Sequence, residues 1–281
     1  MSKINLLIKK SFANFLTLIN MFMGFSSIVL IALSFSDNNY INWSCNLILI
    51  ATLIDVLDGK IARKLGTSGD FGKEIDSLAD LVTFCVAPSF LIFYYYYDLI
   101  QINLILLVFL CSLTLLFGSI RLARFNVYSE QSDNLNYLGL PTPANAIFVS
   151  SMVLYMYNIQ FFDLFELPSF ISITDNSMLF ILNYPLSFIF TYNEYVILFF
   201  YIIIFILLIS KVKYSKFPQL NFKQNKNNTV SLIGIMLFFG ILFFGILTYK
   251  HDIVLLFFIL VYILTGILYY FYHQIIKKRV A

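Results

Sequence analysis

The chain has 281 residues, of which 60% are hydrophobic and only 12% charged, with a mean hydropathy of +0.86. That composition excludes a water-soluble domain with an ordinary polar surface and describes a polytopic membrane protein. The net charge of +3 says little until the charges are placed, and nothing in it requires a nucleic-acid partner.

In chain order, residues 1–12 alternate Ile4, Leu7 and Ile8 with lysines, which fits a short interfacial helix. Eight spans are expected after it, over 13–36, 41–63, 75–97, 100–121, 143–160, 193–212, 229–248 and 253–274. Each can cross about 30 Å of hydrocarbon at 1.5 Å per residue, although the fifth is short. The alternation of basic residues supports this layout. Lys3, Lys9 and Lys10; Lys60, Arg63, Lys64 and Lys73; Arg121 and Arg124; Lys211, Lys213, Lys216, Lys223 and Lys226; and Lys277, Lys278 and Arg279 all fall on one side, leaving only Lys250 on the other. Both termini are therefore expected in the cytoplasm. The outer stretch 161–192 contains an apolar run, Met178–Phe190, that is short and interrupted by Pro185. It is read as an interfacial or re-entrant segment, because counting it as a span would send the lysines of 211–226 outside. No secretory signal peptide is expected. Cys45, Cys85 and Cys111 lie in apolar runs with no metal-binding spacing and are expected as small buried residues. Tyr94 to Tyr97 suit an outer aromatic belt, and Tyr269, Tyr270 and Tyr272 an inner one.

The second and third spans carry a cost. Asp55, Asp58, Asp76 and Asp80 stand in or at the ends of segments otherwise apolar enough to cross a membrane. An acidic residue at a helix centre costs about 2.5–3.5 kcal/mol on insertion scales. At 100° per residue, Asp55, Asp58, Gly59 and Ala62 share one helix face with Arg63 at its edge. Beyond a polar turn at Gly66, Thr67, Ser68 and Gly69, the residues Gly72, Lys73, Asp76, Asp80 and Thr83 share a face of the next helix. Two antiparallel helices can aim these carboxylates at one another, and converging carboxylates repel unless cations sit between them. Oxygen-only donors suit Mg²⁺, Mn²⁺ or Ca²⁺ rather than zinc. A paired metal site of this kind serves displacement at phosphorus. The expectation is a helix-turn-helix metal site at the inner side of an all-α membrane protein. Gly59, Ala62 and Gly72 either let the helices pack closely or leave room for a ligand. Arg63 and Lys73 either obey the positive-inside rule or bind phosphate.

Asp55, Asp58, Gly59, Ala62, Arg63, Gly72, Asp76 and Asp80 fit the pattern D-x2-D-G-x2-A-R-x8-G-x3-D-x3-D at every fixed position. This resembles the signature of the CDP-alcohol phosphotransferase family. The resemblance implies an integral membrane enzyme that moves a phosphatidyl or similar group from a CDP-linked donor to an alcohol, releasing CMP with divalent metal. Three further stretches, GKEIDSLADLVTFCVAPSF (72–90), RLARFNV (121–127) and GLPTPANA (139–146), resemble the branch that uses CDP-diacylglycerol and L-serine. The opening NFLTLINMFMGF (14–25) is similar as well. Two departures are visible: Cys85 stands where a small residue, usually Gly, is expected, and Asn145 interrupts a run that is often alanine.

Carried over by position, the resemblance implies that Asp55, Asp58, Asp76 and Asp80 hold two ions of Mn²⁺ or Mg²⁺, with Asp80 also the base. Asp55, Gly59, Ala62, Arg63, Gly72 and Lys73 line the CDP site. Arg121 and Arg124, three apart on one helix end, are candidates for phosphate or for the serine carboxylate, with Asn126 adding a hydrogen bond; membrane-end anchoring is the other reading of the arginines. A homodimer is implied, in the cell (inner) membrane, with membrane lipid as surroundings and the active site at the cytoplasmic face. The whole of 1–281 is expected as one membrane domain, with a catalytic core in 1–160, the outer segment 161–192 and C-terminal spans in 193–281. Two alternatives stay open: the same chemistry with glycerol 3-phosphate or inositol, and a divalent-cation transporter. Against the transporter stand the placement of the cluster near one face and the lack of a comparable acidic site in the outer half of the other spans.

Overall fold

The computed structural model describes residues 3–65, 69–97, 103–128, 136–164, 194–215, 240–242, 245 and 251–280. Eight α-helices account for nearly all of them. They are α1 (Lys3–Ser34), α2 (Asn39–Leu65), α3 (Asp70–Leu81), α4 (Ala87–Tyr97), α5 (Leu104–Tyr128), α6 (Thr142–Leu164), α7 (Glu194–Ile209) and α8 (His251–Val280). Among the described residues, five stretches are long and apolar enough to cross a membrane: Asn14–Ser34, Asn39–Ile61, Asp70–Tyr97, Leu104–Val127 and His251–Gln274. Leu198–Ile209 is a shorter apolar helix. The expected turn at 66–68, the apolar run 178–190 and most of the expected span 229–248 lie outside the described residues. The interfacial helix expected over 1–12 is not separate, since α1 is continuous from Lys3 into its apolar part.

The expectation of an all-α chain needs one amendment. Strands β1 (Asn136–Leu138) and β2 (Lys213–Ser215) form an antiparallel pair in the register Asn136↔Ser215, Tyr137↔Tyr214 and Leu138↔Lys213. The ribbon ties the approach to α6 to the segment after α7. Gly139 follows β1 at φ +79, where a Cβ would collide with the Leu208 carbonyl and stand 2.9 Å from Arg124 Nη2. Only glycine is at ease there.

Helix α6 is the centre of the bundle. Ala144 through Met156 are buried on every side except at Ile147. A helix buried around its whole circumference, polar residues included, lies inside the bundle rather than at its surface. Its small residues, Ala144, Ala146, Ser150 and Ser151, let neighbours approach closely. The outward faces of α1 and α5 expose Phe22 (68%) and Ile105 (79%), as lipid-facing positions should. Ser27 and Ser44 share a hydrogen bond of 2.8 Å between α1 and α2. Tyr94 donates to the Ser34 carbonyl at 3.2 Å and to Asn38 Oδ1 at 2.9 Å, fastening α4 to the end of α1. The tyrosine run is thus not a uniform belt, because Tyr96 is fully buried while Tyr97 is half exposed. Cys45, Cys85 and Cys111 are free and buried.

The third span is one continuous helical rod with a π-helical turn at Val82–Val86 between α3 and α4. Such a turn frees carbonyls from the regular ladder. The Asn145 amide of α6 donates to one of them, Phe84 O, at 3.0 Å. Beside it, Cys85 Sγ lies against Gly118 of α5, where a Cβ would collide with it.

Candidate metal centre

Asp55 and Asp58 stand one turn apart near the C-terminal end of α2, and Asp76 and Asp80 one turn apart on α3. Spacing alone put each pair on one face, and the structure turns the faces together: carboxylate oxygens of Asp55, Asp76 and Asp80 all lie within 4.8 Å of one another. Two ionised carboxylates at 4.8 Å repel by about 3 kcal/mol at an effective dielectric constant of about 20. Three of them make a strongly negative pocket among apolar helices.

Asp58 is set slightly apart. It is 3% exposed and accepts a hydrogen bond from Thr17 Oγ1 of α1 at 3.1 Å. Asp80 Oδ2 accepts from Thr142 Oγ1 at 3.4 Å, and Thr142 Oγ1 in turn accepts from Arg121 Nη1 at 3.0 Å. Thr142 is fully buried and Arg121 is 6% exposed, so α5 and the first residue of α6 bring one positive charge to the edge of the cluster. Asp80 Oδ1 is buried and has no hydrogen-bond partner among the described residues. An oxygen-only donor set, an excess of negative charge and an orphaned carboxylate oxygen fit a hard divalent cation.

The residues expected around a nucleotide divide into three groups. A Cβ at Gly59 would meet nothing within 4 Å among the described residues, and one at Gly72 only Asn14 Oδ1 at 3.5 Å. Among the described residues, Gly59 thus faces open space, while Gly72 faces Asn14 of the neighbouring α1. Lys73 is exposed on α3. Ala62 and Arg63 belong to α2, and their side chains lie outside the described residues.

The three candidates on α5 also separate. Arg121 reaches the cluster through Thr142. Arg124 instead donates to the carbonyls of Ile209 (3.0 Å), Leu138 (2.9 Å) and Ser210 (3.5 Å), closing the C-terminal end of α7 and the end of β1. Asn126 exchanges hydrogen bonds with Ser77 of α3, its Nδ2 donating at 2.9 Å.

Sequence reasoning about spacing missed Thr17, Thr142 and Asn14. Their only signal was membership of the stretches 14–25 and 139–146, which carry no charge and no helical register with the aspartates. At the opposite end of the helices, Asp252 of α8 is 2% exposed and accepts from Asn158 Nδ2 at 2.8 Å. It is a single carboxylate; among the described residues the cluster at Asp55 is the one group of three acidic or other metal-binding side chains.

Residues 10–211 match the sequence profile of the CDP-alcohol phosphatidyltransferases. A CDP-diacylglycerol–serine O-phosphatidyltransferase of Helicobacter pylori is 30% identical over 233 residues, 83% of this chain and 81% of that protein. An archaetidylserine synthase of Methanothermobacter thermautotrophicus is 39% identical over 50% of this chain and 56% of its own length. The CDP-diacylglycerol–serine O-phosphatidyltransferase of Saccharomyces cerevisiae is 36% identical over 50% of this chain and 52% of its own. With the four aspartates, their spacing and the match across most of the sequence in agreement, the chain belongs to the CDP-alcohol phosphatidyltransferase family.

Proposed function

We propose that the protein transfers the phosphatidyl group of CDP-diacylglycerol to the hydroxyl of L-serine, giving phosphatidylserine and CMP. The observation that carries this reading is the convergence of Asp55, Asp76 and Asp80 within 4.8 Å on the two helices that bear the family signature. Support for serine comes from relatives in bacteria, an archaeon and yeast whose names specify serine or a serine lipid.

In this reading Asp55, Asp58, Asp76 and Asp80 would hold divalent metal, as two ions of Mn²⁺ or Mg²⁺. When bound, the metal supplies positive charge that offsets charge building on the pyrophosphate. Asp55, Gly59, Ala62, Arg63, Gly72 and Lys73 line the space for CDP. The serine hydroxyl oxygen forms a bond to the phosphorus that carries diacylglycerol. The bond from that phosphorus to the CMP oxygen breaks, its electron pair leaves with CMP, and Asp80 takes the hydroxyl proton. Arg121 is assigned to phosphate or to the serine carboxylate. Arg124 and Asn126, which bond to carbonyls and to Ser77, are assigned to holding α5 in place.

The same reading assigns the chain eight spans in one membrane domain, with both termini and the metal centre at the cytoplasmic face of the cell membrane, as a homodimer. Its core is 1–160, with an outer segment at 161–192 and C-terminal spans beyond.

The test is transfer of label from serine into lipid by detergent-solubilised protein given CDP-diacylglycerol, with and without Mn²⁺ or Mg²⁺. Glycerol 3-phosphate and inositol run in parallel, and Asp80→Asn serves as control. Metal-dependent labelling lost in the control is expected. Product with another alcohol alone would remove the serine assignment and keep the site. Absence of CMP release with every acceptor, from folded protein, would remove the enzyme reading; metal uptake into vesicles without lipid substrate would replace it with transport.

A further inference from the structure

Asn20 lies on α1 three residues beyond Thr17, and it is fully buried. Neither its Oδ1 nor its Nδ2 has a hydrogen-bond partner among the described residues. Native interiors rarely leave both ends of a carboxamide unbonded, and where they do, a guest molecule, an ion or a functional role is the usual reason. Its backbone oxygen accepts a hydrogen bond from Thr83 Oγ1 of the third span at 3.0 Å.

The register of α1 against the third span locates the residue. The two run in the same direction: Asn14 stands beside Gly72, Gly24 abuts Thr83, whose hydroxyl reaches back to the Asn20 carbonyl, and Ser34 meets Tyr94. Asp76 and Asp80 fall between the first two of these levels, as does the bond from Thr17 to Asp58. Asn20, one turn before Gly24, therefore sits at about the level of Asp80, the aspartate farthest from the α2–α3 connection. Gly59, Arg63, Gly72 and Lys73, assigned above to CDP, are all on the connection side of their neighbouring aspartates. In-line displacement at phosphorus requires the attacking oxygen opposite the departing one. With the nucleotide on the connection side, the attacking hydroxyl belongs on the far side, where the Asn20 carboxamide and Asp80 Oδ1 are both buried and unbonded.

We propose that Asn20 is a substrate-binding residue whose buried, unpartnered carboxamide, at the level of Asp80, holds the acceptor alcohol. A carboxamide offers a donor and an acceptor together. That matches a small molecule carrying both an ammonium and oxygen acceptors better than it matches a phosphorylated alcohol, which would need added positive charge. The inference rests on the serine-transfer reading.

The discriminating variant is Asn20→Leu. Replacing a buried, unbonded amide with an apolar side chain of similar size should leave the melting temperature of the substrate-free protein unchanged or raise it. The kcat/KM for L-serine should fall by about tenfold or more, while KM for CDP-diacylglycerol stays within about threefold. Addition of L-serine with Mn²⁺ and a CDP-diacylglycerol micelle should raise the melting temperature of wild type and not of the variant. Asn20→Ala serves if the leucine variant does not fold. A folded variant whose kcat/KM for L-serine stays within threefold of wild type overturns the proposal, as does an equal loss for both substrates accompanied by a lowered melting temperature. Wild-type protein that transfers to no acceptor overturns the underlying reading itself, an outcome distinct from either.

Discussion

Two threonines outside the aspartate signature each hold one of its carboxylates. Thr142 is the sharper case, because its single hydroxyl both receives Arg121 and donates to Asp80. Thr142→Val keeps the shape and deletes both bonds, so kcat in the serine-transfer assay should fall by about 10–100-fold, with Thr142→Ser near wild type. Thr17→Val releases Asp58 from α1. Its expected signature is Mn²⁺ affinity weakened by about 10–100-fold, read from the free-ion electron paramagnetic resonance signal during titration. Unchanged Mn²⁺ binding in that variant would mean that Asp58 needs no help from α1. Both residues were legible only as members of family-like stretches. Nothing in spacing alone pairs a neutral hydroxyl with a carboxylate on a helix 41 or 62 residues away.

At the scale of elements, both residues expected to depart from the family pattern meet at the π-helical turn Val82–Val86. Asn145, where alanine is usual, supplies an amide to the Phe84 carbonyl at 3.0 Å. Cys85, where glycine is usual, has its sulfur against a glycine on the facing helix, Gly118. Gly118→Ala should destabilise by about 1–3 kcal/mol through overpacking, lowering the detergent melting temperature. The double variant Cys85→Gly with Gly118→Ala should recover most of that loss. Equal melting temperatures for the single and double variants would show that the contact yields without cost. The aspartate helices themselves needed no such compensation to be read in advance, since a period of 3.6 fixes which residues share a face whatever packs against it.

For the whole molecule, the alternation of lysine and arginine predicts sidedness. Single cysteines at Lys3 and Lys278 should react with an impermeant maleimide only in inside-out vesicles, and one at Lys250 only in right-side-out vesicles. The native cysteines are buried and add little background. Reaction of the Lys278 position from outside would break the eight-span layout. The expected fifth span, 143–160, looked short, and α6 extends it to Thr142–Leu164; it is surrounded by protein along most of its length and carries Thr142, Asn145, Ser150 and Ser151 buried among its neighbours. A helix shielded from lipid by other helices tolerates polar groups that bond to its neighbours, as Thr142 does to Asp80 and Asn145 to the Phe84 carbonyl.

The sequence by itself determined the membrane class, the helical character of the spans and the two aspartate faces, because hydropathy, charge and helical period are local properties of the chain. It did not determine the β1–β2 ribbon, the central place of α6, or the partners of Arg121, Arg124 and Asn126. Those depend on which helices become neighbours. Three polar residues within six positions of α5 look alike in sequence, yet one reaches Asp80 through Thr142, one closes the end of α7, and one pairs with Ser77. Only the tertiary arrangement decides this, since a hydrogen bond forms with whatever group packing brings within about 3 Å.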